Sequence, residues 1–163
     1  MPCEKLLEFL DEHRVPYELV EHPHAFAARE TARKAGVPGY SFAKTVLVQL
    51  DGLMAMAVLP SESKVNFNLL RSVANVESVG LASESEFESR FPDCELGAMP
   101  PFGNLYNMRV FVDGHLQAAD TIAFNAGTHT EIIMMPYEDF ESLVRPTIGQ
   151  FTFRPLQEMP GMA

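Results

Sequence analysis

Two apolar runs, AKTVLVQL starting at Ala43 and LMAMAVLP ending at Pro60, are separated only by Asp51 and Gly52. A two-residue Asp-Gly connection is type I′ turn chemistry, because both central residues must take positive φ and this pair does so at low cost. The stretch therefore predicts a β-hairpin over residues 43–60, and the rest of the chain has to be built around it. One charge interrupts it: Lys44 stands at the entry of a strand that otherwise reads as buried.

On either side of the hairpin the periodicity changes. Leu6, Leu7, Phe9 and Leu10 recur at helical spacing, so residues 3–13 read as an amphipathic helix, followed by VPYELVEH as a short strand. Residues 27–35 return to helix, stopped by Gly36 with Pro38 beyond it. NFNLLRSVA and SESEFESRF read as short helices, the second opened by a capping box of Ser83 and Glu86. CELGAMPPFGNLYN can be neither helix interior nor central strand, because Pro100 and Pro101 lie between Gly97 and Gly103. MRVFVD, TIAFNAG and TEIIMMP read as strands, and YEDFESLV closes the chain as a helix. Hairpins mixed with irregularly placed helices predict a mixed α/β (α+β) single domain with a curled, mostly antiparallel central sheet surrounded by helices. The domain is expected to span residues 1–155, with a flexible C-terminal tail at 156–163.

Composition narrows the function classes. With 47% hydrophobic residues and twelve phenylalanines, 163 residues suffice for one core. A net charge of −10 argues against a protein that grips many phosphates, so any nucleic-acid contact should be local. The locally basic stretch runs from Arg29 through Arg33 and Lys34 to Lys44, the one place a phosphate would be welcome. No run approaches the roughly 18 apolar residues of a membrane span, and the N-terminal residues carry charges in place of an apolar signal region. A cytoplasmic protein without membrane partners is expected. Cys3 and Cys94 are far apart in sequence and read as free thiols.

Three segments could carry chemistry, and each has a plain reading beside the functional one. Lys44 is either a strand-end lysine snorkelling to water or a point charge placed to meet a phosphate or carboxylate. GAMPPFG is either a rigid turn or a frame whose glycines and prolines aim backbone N–H groups at an ester carbonyl. In FNAGTHTE, Gly127, Thr128 and His129 are either a polar connection or hydrogen-bonding groups of a pocket. The HPH at His22–His24 lacks further ligands at metal spacing, so no metal is expected.

Taken in order, VPYELVEHP, FAKTVLV, AVLPSESKVNFNLL, GAMPPFG and FNAGTHTEIIMM resemble the YbaK/ProRS-associated aminoacyl-tRNA editing superfamily, over residues 5–147. The resemblance implies hydrolysis of the ester of a mischarged tRNA, with no metal or other cofactor, and the tRNA acceptor end as partner. A synthetase is a second candidate partner. It implies that Lys44 holds a phosphate near the terminal adenosine and that the Gly97–Pro101 loop offers N–H donors to the scissile carbonyl. Since proline has no N–H, the donors would come from Ala98, Met99, Phe102 or Gly103. His129, with Gly127 and Thr128, would line the aminoacyl pocket, and Tyr17 corresponds to a pocket position. Gly-Thr-His is found in members resembling ProXp-type deacylases, which makes alanyl-tRNA(Pro) the first substrate to expect. The water-activating group stays open between His129 and a tRNA ribose hydroxyl. A non-catalytic module that binds aminoacyl-tRNA or a synthetase is the alternative.

Overall fold

The computed structural model describes residues 2–155. Its centre is the hairpin, β2 (Ala43–Leu50) and β3 (Leu53–Pro60), paired from Ala43↔Pro60 to Leu50↔Leu53. Asp51 and Gly52 have φ of 49° and 83°, as the type I′ turn demands. Asp51 also accepts hydrogen bonds from the N–H groups of Glu77 and Ser78, which fixes the turn against the chain returning from the following helix.

Around it lie α1 (Glu4–Glu12), β1 (Glu18–Glu21) and α2 (Ala28–Ala35) before the hairpin, then β4 (Lys64–Val65), α3 (Phe67–Ala74), β5 (Val79–Leu81) and α4 (Glu84–Phe87). β6 (Arg109–Asp113), β7 (Thr121–Asn125), β8 (Glu131–Pro136) and α5 (Tyr137–Val144) follow, and the described chain ends with β9 (Thr147–Gly149) and β10 (Thr152–Phe153). The helix limits have local causes. Gly36 stops α2 in the left-handed conformation at φ 72°, Asn66 caps α3 by accepting from the Leu69 N–H, and Ser83 and Glu86 close the capping box of α4.

Among the described residues the strands form a five-stranded mixed sheet, β5-β2-β3-β6-β9, a three-stranded antiparallel sheet, β1-β8-β7, and the β10-β4 ribbon. A parallel bridge between Phe42 and Ala123 joins the two larger sheets. One face of the five-stranded sheet meets α1 and α5 over a core containing Phe102, Phe124 and Phe140, and the other meets α3 through Leu70, Phe111 and Phe151. A third cluster, Ala32, Val37, Phe42, Ala123 and Ile132, seats α2 where the sheets join. No described helix is long and apolar enough to cross a membrane.

The mixed fold read from the sequence is the one observed, with two corrections. The chain does not close on α5, since β9 adds parallel to β6 and β10 pairs with β4. These pieces, like β4 and β5, are two or three residues long, too short for alternation to mark them, and they are strands only because neighbours supply the ladder. The expected tail at 156–163 lies outside the described residues.

Candidate functional site

Three segments converge at the junction of the sheets. The turn between β7 and β8 carries Gly127, Thr128 and His129, and the loop 95–98 is zipped to it: Glu95 N–H donates to Gly127 O at 2.8 Å and Gly127 N–H to Ala98 O at 3.0 Å. His129 is held from both ends. Its N–H donates to the Glu95 carboxylate at 2.6 Å, and its ring Nε2 lies 2.6 Å from the Leu96 carbonyl. A carbonyl can only accept, so Nε2 carries a hydrogen, and when the ring is neutral Nδ1 is then an acceptor. Nδ1 is buried with no hydrogen-bond partner among the described residues. The Thr128 hydroxyl donates to Glu131 at 3.0 Å, an internal tie that shapes the turn.

The third segment is 22–29. His22 N–H donates to Thr130 O and Ala25 N–H to His129 O, laying the segment along the turn. The Phe26 ring sits 5.0 Å from His129 and 4.4 Å from His24, yet 71% of Phe26 is exposed. An aromatic held at one edge and open at the other is a surface on which a planar group stacks.

Lys44 reaches this junction by two routes. By one, Phe42, two residues before Lys44, is bridged in parallel to Ala123, two residues before Asn125. Asn125 is itself buried, its Oδ1 without a hydrogen-bond partner among the described residues. Along the other route, Arg29 at the start of α2 lies three residues beyond Phe26. Lys44 is half-buried, and burial first, then Lys64 and Arg29, hold its ammonium below the usual lysine value. Burial, Lys64 and Arg29 all disfavour its charged form. It opens on a cleft of about 660 Å³ that also holds Lys64, Asn66 and the exposed rings of Phe67 and Phe153.

The structure thus brings Gly97, Ala98, Gly127, Thr128 and His129 together, whereas Lys44 lines a cleft with Lys64, Asn66 and Phe67 that none of those five lines. A Cβ on Gly97 would stand 3.4 Å from His129 Cε1, so that glycine packs directly on the ring. Within GAMPPFG the roles divide. Ala98 N–H is committed to Glu95 O at 3.0 Å, which removes it as a carbonyl donor. Pro101 is buried, Phe102 is a fully buried core ring between Phe9, Phe124 and Phe140, and Gly103 is required because a Cβ would meet Val110 at 2.6 Å. Met99 follows Ala98 directly, so its N–H is a candidate loop donor beside the turn.

Tyr17 does not join the group. It precedes Glu18, which pairs with Met134, whereas His129 precedes Glu131, which pairs with Glu21, so the two lie at opposite ends of the β1–β8 ladder. Its hydroxyl donates to Asp11 at 2.9 Å, tying the strand to α1. Tyr17→Phe is therefore expected to leave any activity that depends on His129 at the wild-type value, and a tenfold fall in it would return Tyr17 to the pocket. Phe26, Glu95, Asn125 and Lys64 were not singled out in the sequence, although all but Phe26 lie in segments read there, CELGAMPPFGNLYN, FNAGTHTE and AVLPSESKVNFNLL.

A family model, the aminoacyl-tRNA editing domain, matches residues 22–143. The chain is 25% identical over 139 residues to a proline–tRNA ligase from Leuconostoc citreum (strain KM20), covering 83% of this chain and 24% of that enzyme, so it spans about a quarter of the ligase. It is 22% identical over 153 residues to the multifunctional Ser/Thr-tRNA deacylase ProXp-y of Escherichia coli (strain K12), covering 91% of each. Among solved structures, hypothetical protein APE2540 superposes with a TM-score of 0.82 at 18% identity, covering 91% of this chain and 99% of that one. A candidate trans-editing enzyme for prolyl tRNA synthetase gives 0.79 at 13% identity, covering 93% and 96%. At these identities the structures show a shared fold.

Proposed function

Since the chain belongs to the aminoacyl-tRNA editing domain family, we propose that it acts in trans as a deacylase, hydrolysing the ester of a mischarged tRNA at the junction of its two sheets. The observation that carries the assignment of roles is Lys44, a half-buried cation whose charged neighbours are cations, opening on an apolar cleft. A backbone phosphate of the acceptor end satisfies it, with Lys64 beside it and the exposed Phe67 and Phe153 rings offering stacking faces to unpaired bases. The contact is local, as a chain of net charge −10 requires.

From that anchor the aminoacyl ester extends toward His129. An aminoacyl ester is already activated, so orientation and one or two donors at the developing oxyanion suffice, each donor contributing about 3 kcal/mol. Met99 N–H is the assigned donor, and the fixed tautomer of His129 turns Nδ1 into an acceptor for the attacking water or the aminoacyl group.

The first substrate to test is alanyl-tRNA(Pro). A second substrate reading has a specific observation behind it: a seryl or threonyl hydroxyl would give the orphaned Nδ1 a donor that an alanyl methyl does not. The experiment is a deacylation panel of tRNA(Pro) carrying alanine, serine or threonine, with correctly charged prolyl-tRNA as control. Faster release than in buffer is expected for at least one mischarged species, and replacing His129 by alanine is expected to lower the serine-to-alanine rate ratio about tenfold if Nδ1 reads the hydroxyl. Binding without release would replace the deacylase with a non-catalytic aminoacyl-tRNA module. Co-purification with a synthetase would identify a delivery partner.

A further inference from the structure

The two cysteines of the chain, 91 positions apart, meet in space. Cys3, just ahead of α1, and Cys94, in the loop leading to Glu95, join Asp93 in a group whose thiol and carboxylate atoms all lie within 4.8 Å of one another. The Cys3 thiol donates to Asp93 at 2.9 Å, and the Tyr106 hydroxyl lies 3.4 Å from one sulfur and 3.5 Å from the other. Packing alone explains none of this, since a structural cysteine needs only apolar neighbours. One sulfur is buried at 1% exposure, while Cys94 is half-exposed at a surface cavity of about 300 Å³ lined by Pro92, Asp93, Glu95, Gly127 and Thr128.

We propose that Cys3 and Cys94 are a reversible modification site, closed to a disulfide by peroxide and reopened by small thiols, that staples the segment ahead of α1 to the loop holding His129. One sulfur takes an oxygen from hydrogen peroxide to become a sulfenic acid as the first water leaves. The other sulfur displaces that oxygen as the second water, so two thiols and one peroxide give one disulfide and two waters. Reopening transfers two electrons from two small thiols, which leave as their own disulfide. The pair is prepared for this chemistry: a hydrogen bond from Cys94 draws Cys3 down to about 7 against burial and Asp93, while Cys94 is pushed up because it keeps the shared proton. The lowered value favours the Cys3 thiolate, the form that attacks peroxide.

The staple would bear on the site described above, although it does not depend on the deacylase reading. Cys3 N–H donates to Ala126 O at 2.7 Å, and Cys94 immediately precedes Glu95, the residue that holds the His129 N–H. A bond between the sulfurs would link the two sides of the Ala126–Gly127 turn. Coordination of a divalent ion by the same atoms is disfavoured because, among the described residues, three ligands converge where a structural zinc site uses four.

The test is to expose the purified reduced chain to hydrogen peroxide and weigh it intact. The expected result is a loss of about 2 Da, disappearance of both titratable thiols together, and a Cys3–Cys94 cross-linked peptide in a non-reducing digest, all reversed by dithiothreitol. The oxidised form should also melt higher, because a link across 91 positions restricts the unfolded chain. Cys94→Ser should instead gain oxygen mass on Cys3. A wild-type chain that gains about 16 or 32 Da, or loses one thiol without the other, overturns the proposal. So does a native mass that includes a divalent ion protecting both thiols until a chelator removes it.

Discussion

Replacing Lys44 by methionine is expected to lower kcat/KM for deacylation about 100-fold, the loss of one charge-assisted contact to phosphate of about 2.7 kcal/mol, while the melting temperature stays level or rises. The two directions come from one arrangement. Burial first, then Lys64 and Arg29, lower the Lys44 pKa in the folded chain, so the free protein carries this charge at a cost that the bound phosphate offsets. The sign follows from linkage: between the lowered value and the ordinary 10.5 the unfolded chain binds more protons, so stability rises with pH across that window. Below the window the protonated lysine weighs against folding, and methionine removes that weight while keeping the apolar stem. Substrate affinity moves the other way, falling as alkaline pH removes the charge. The variant's salt dependence should also be shallower, by about 0.7 in the slope of log affinity against log salt for one lost single-strand phosphate contact. Thermal melts and single-turnover rates at two salt concentrations check all three. Wild-type activity, or a fall in melting temperature that parallels the fall in activity, would make Lys44 a packing residue.

The hairpin was legible because its information is local: Asp51 and Gly52 set the turn, and the flanking runs set the register. α2 and α3 were legible for the same reason, with Gly36 and Asn66 marking their ends. β9 and β10 were not, because the partners that make them strands, β6 and β4, are far away in sequence. The site divides in the same way. His129 and Gly97 could be named from short motifs, but Glu95 earns its place only through the backbone pairings of 95–98 with 127, which no local pattern announces. Tyr17 misled because a position within a strand says nothing about which end of the ladder faces the pocket. The cysteines are the sharpest case: two isolated thiols in the sequence become neighbours once α1 docks beside the 126–127 turn.

That docking also sets the second large effect. Gly127→Ala is expected to cost about 3 kcal/mol or more in unfolding free energy, against about 1 kcal/mol for Gly52→Ala. Both glycines hold positive φ, 101° at Gly127 and 83° at Gly52, so both variants are strained by the backbone conformation. They differ in what the new methyl meets. At Gly52 nothing lies within 4 Å, whereas at Gly127 it would stand 2.9 Å from Cys3 Cβ and 3.2 Å from the Cys3 backbone nitrogen. That nitrogen is bonded to Ala126 O at 2.7 Å, so relief requires either α1 or the turn to shift. If the turn shifts, it carries the Glu95 and Ala98 pairings with it, and His129 leaves the position that Glu95 and Leu96 enforce. Gly127→Ala should therefore lose deacylation at temperatures where it remains folded, while Gly52→Ala, at the far end of the hairpin, should keep it. Denaturant midpoints for the two variants, with rates measured well below each transition, decide the matter. Equal costs would mean that positive φ accounts for both glycines and that the close approach of Cys3 places no constraint on the site.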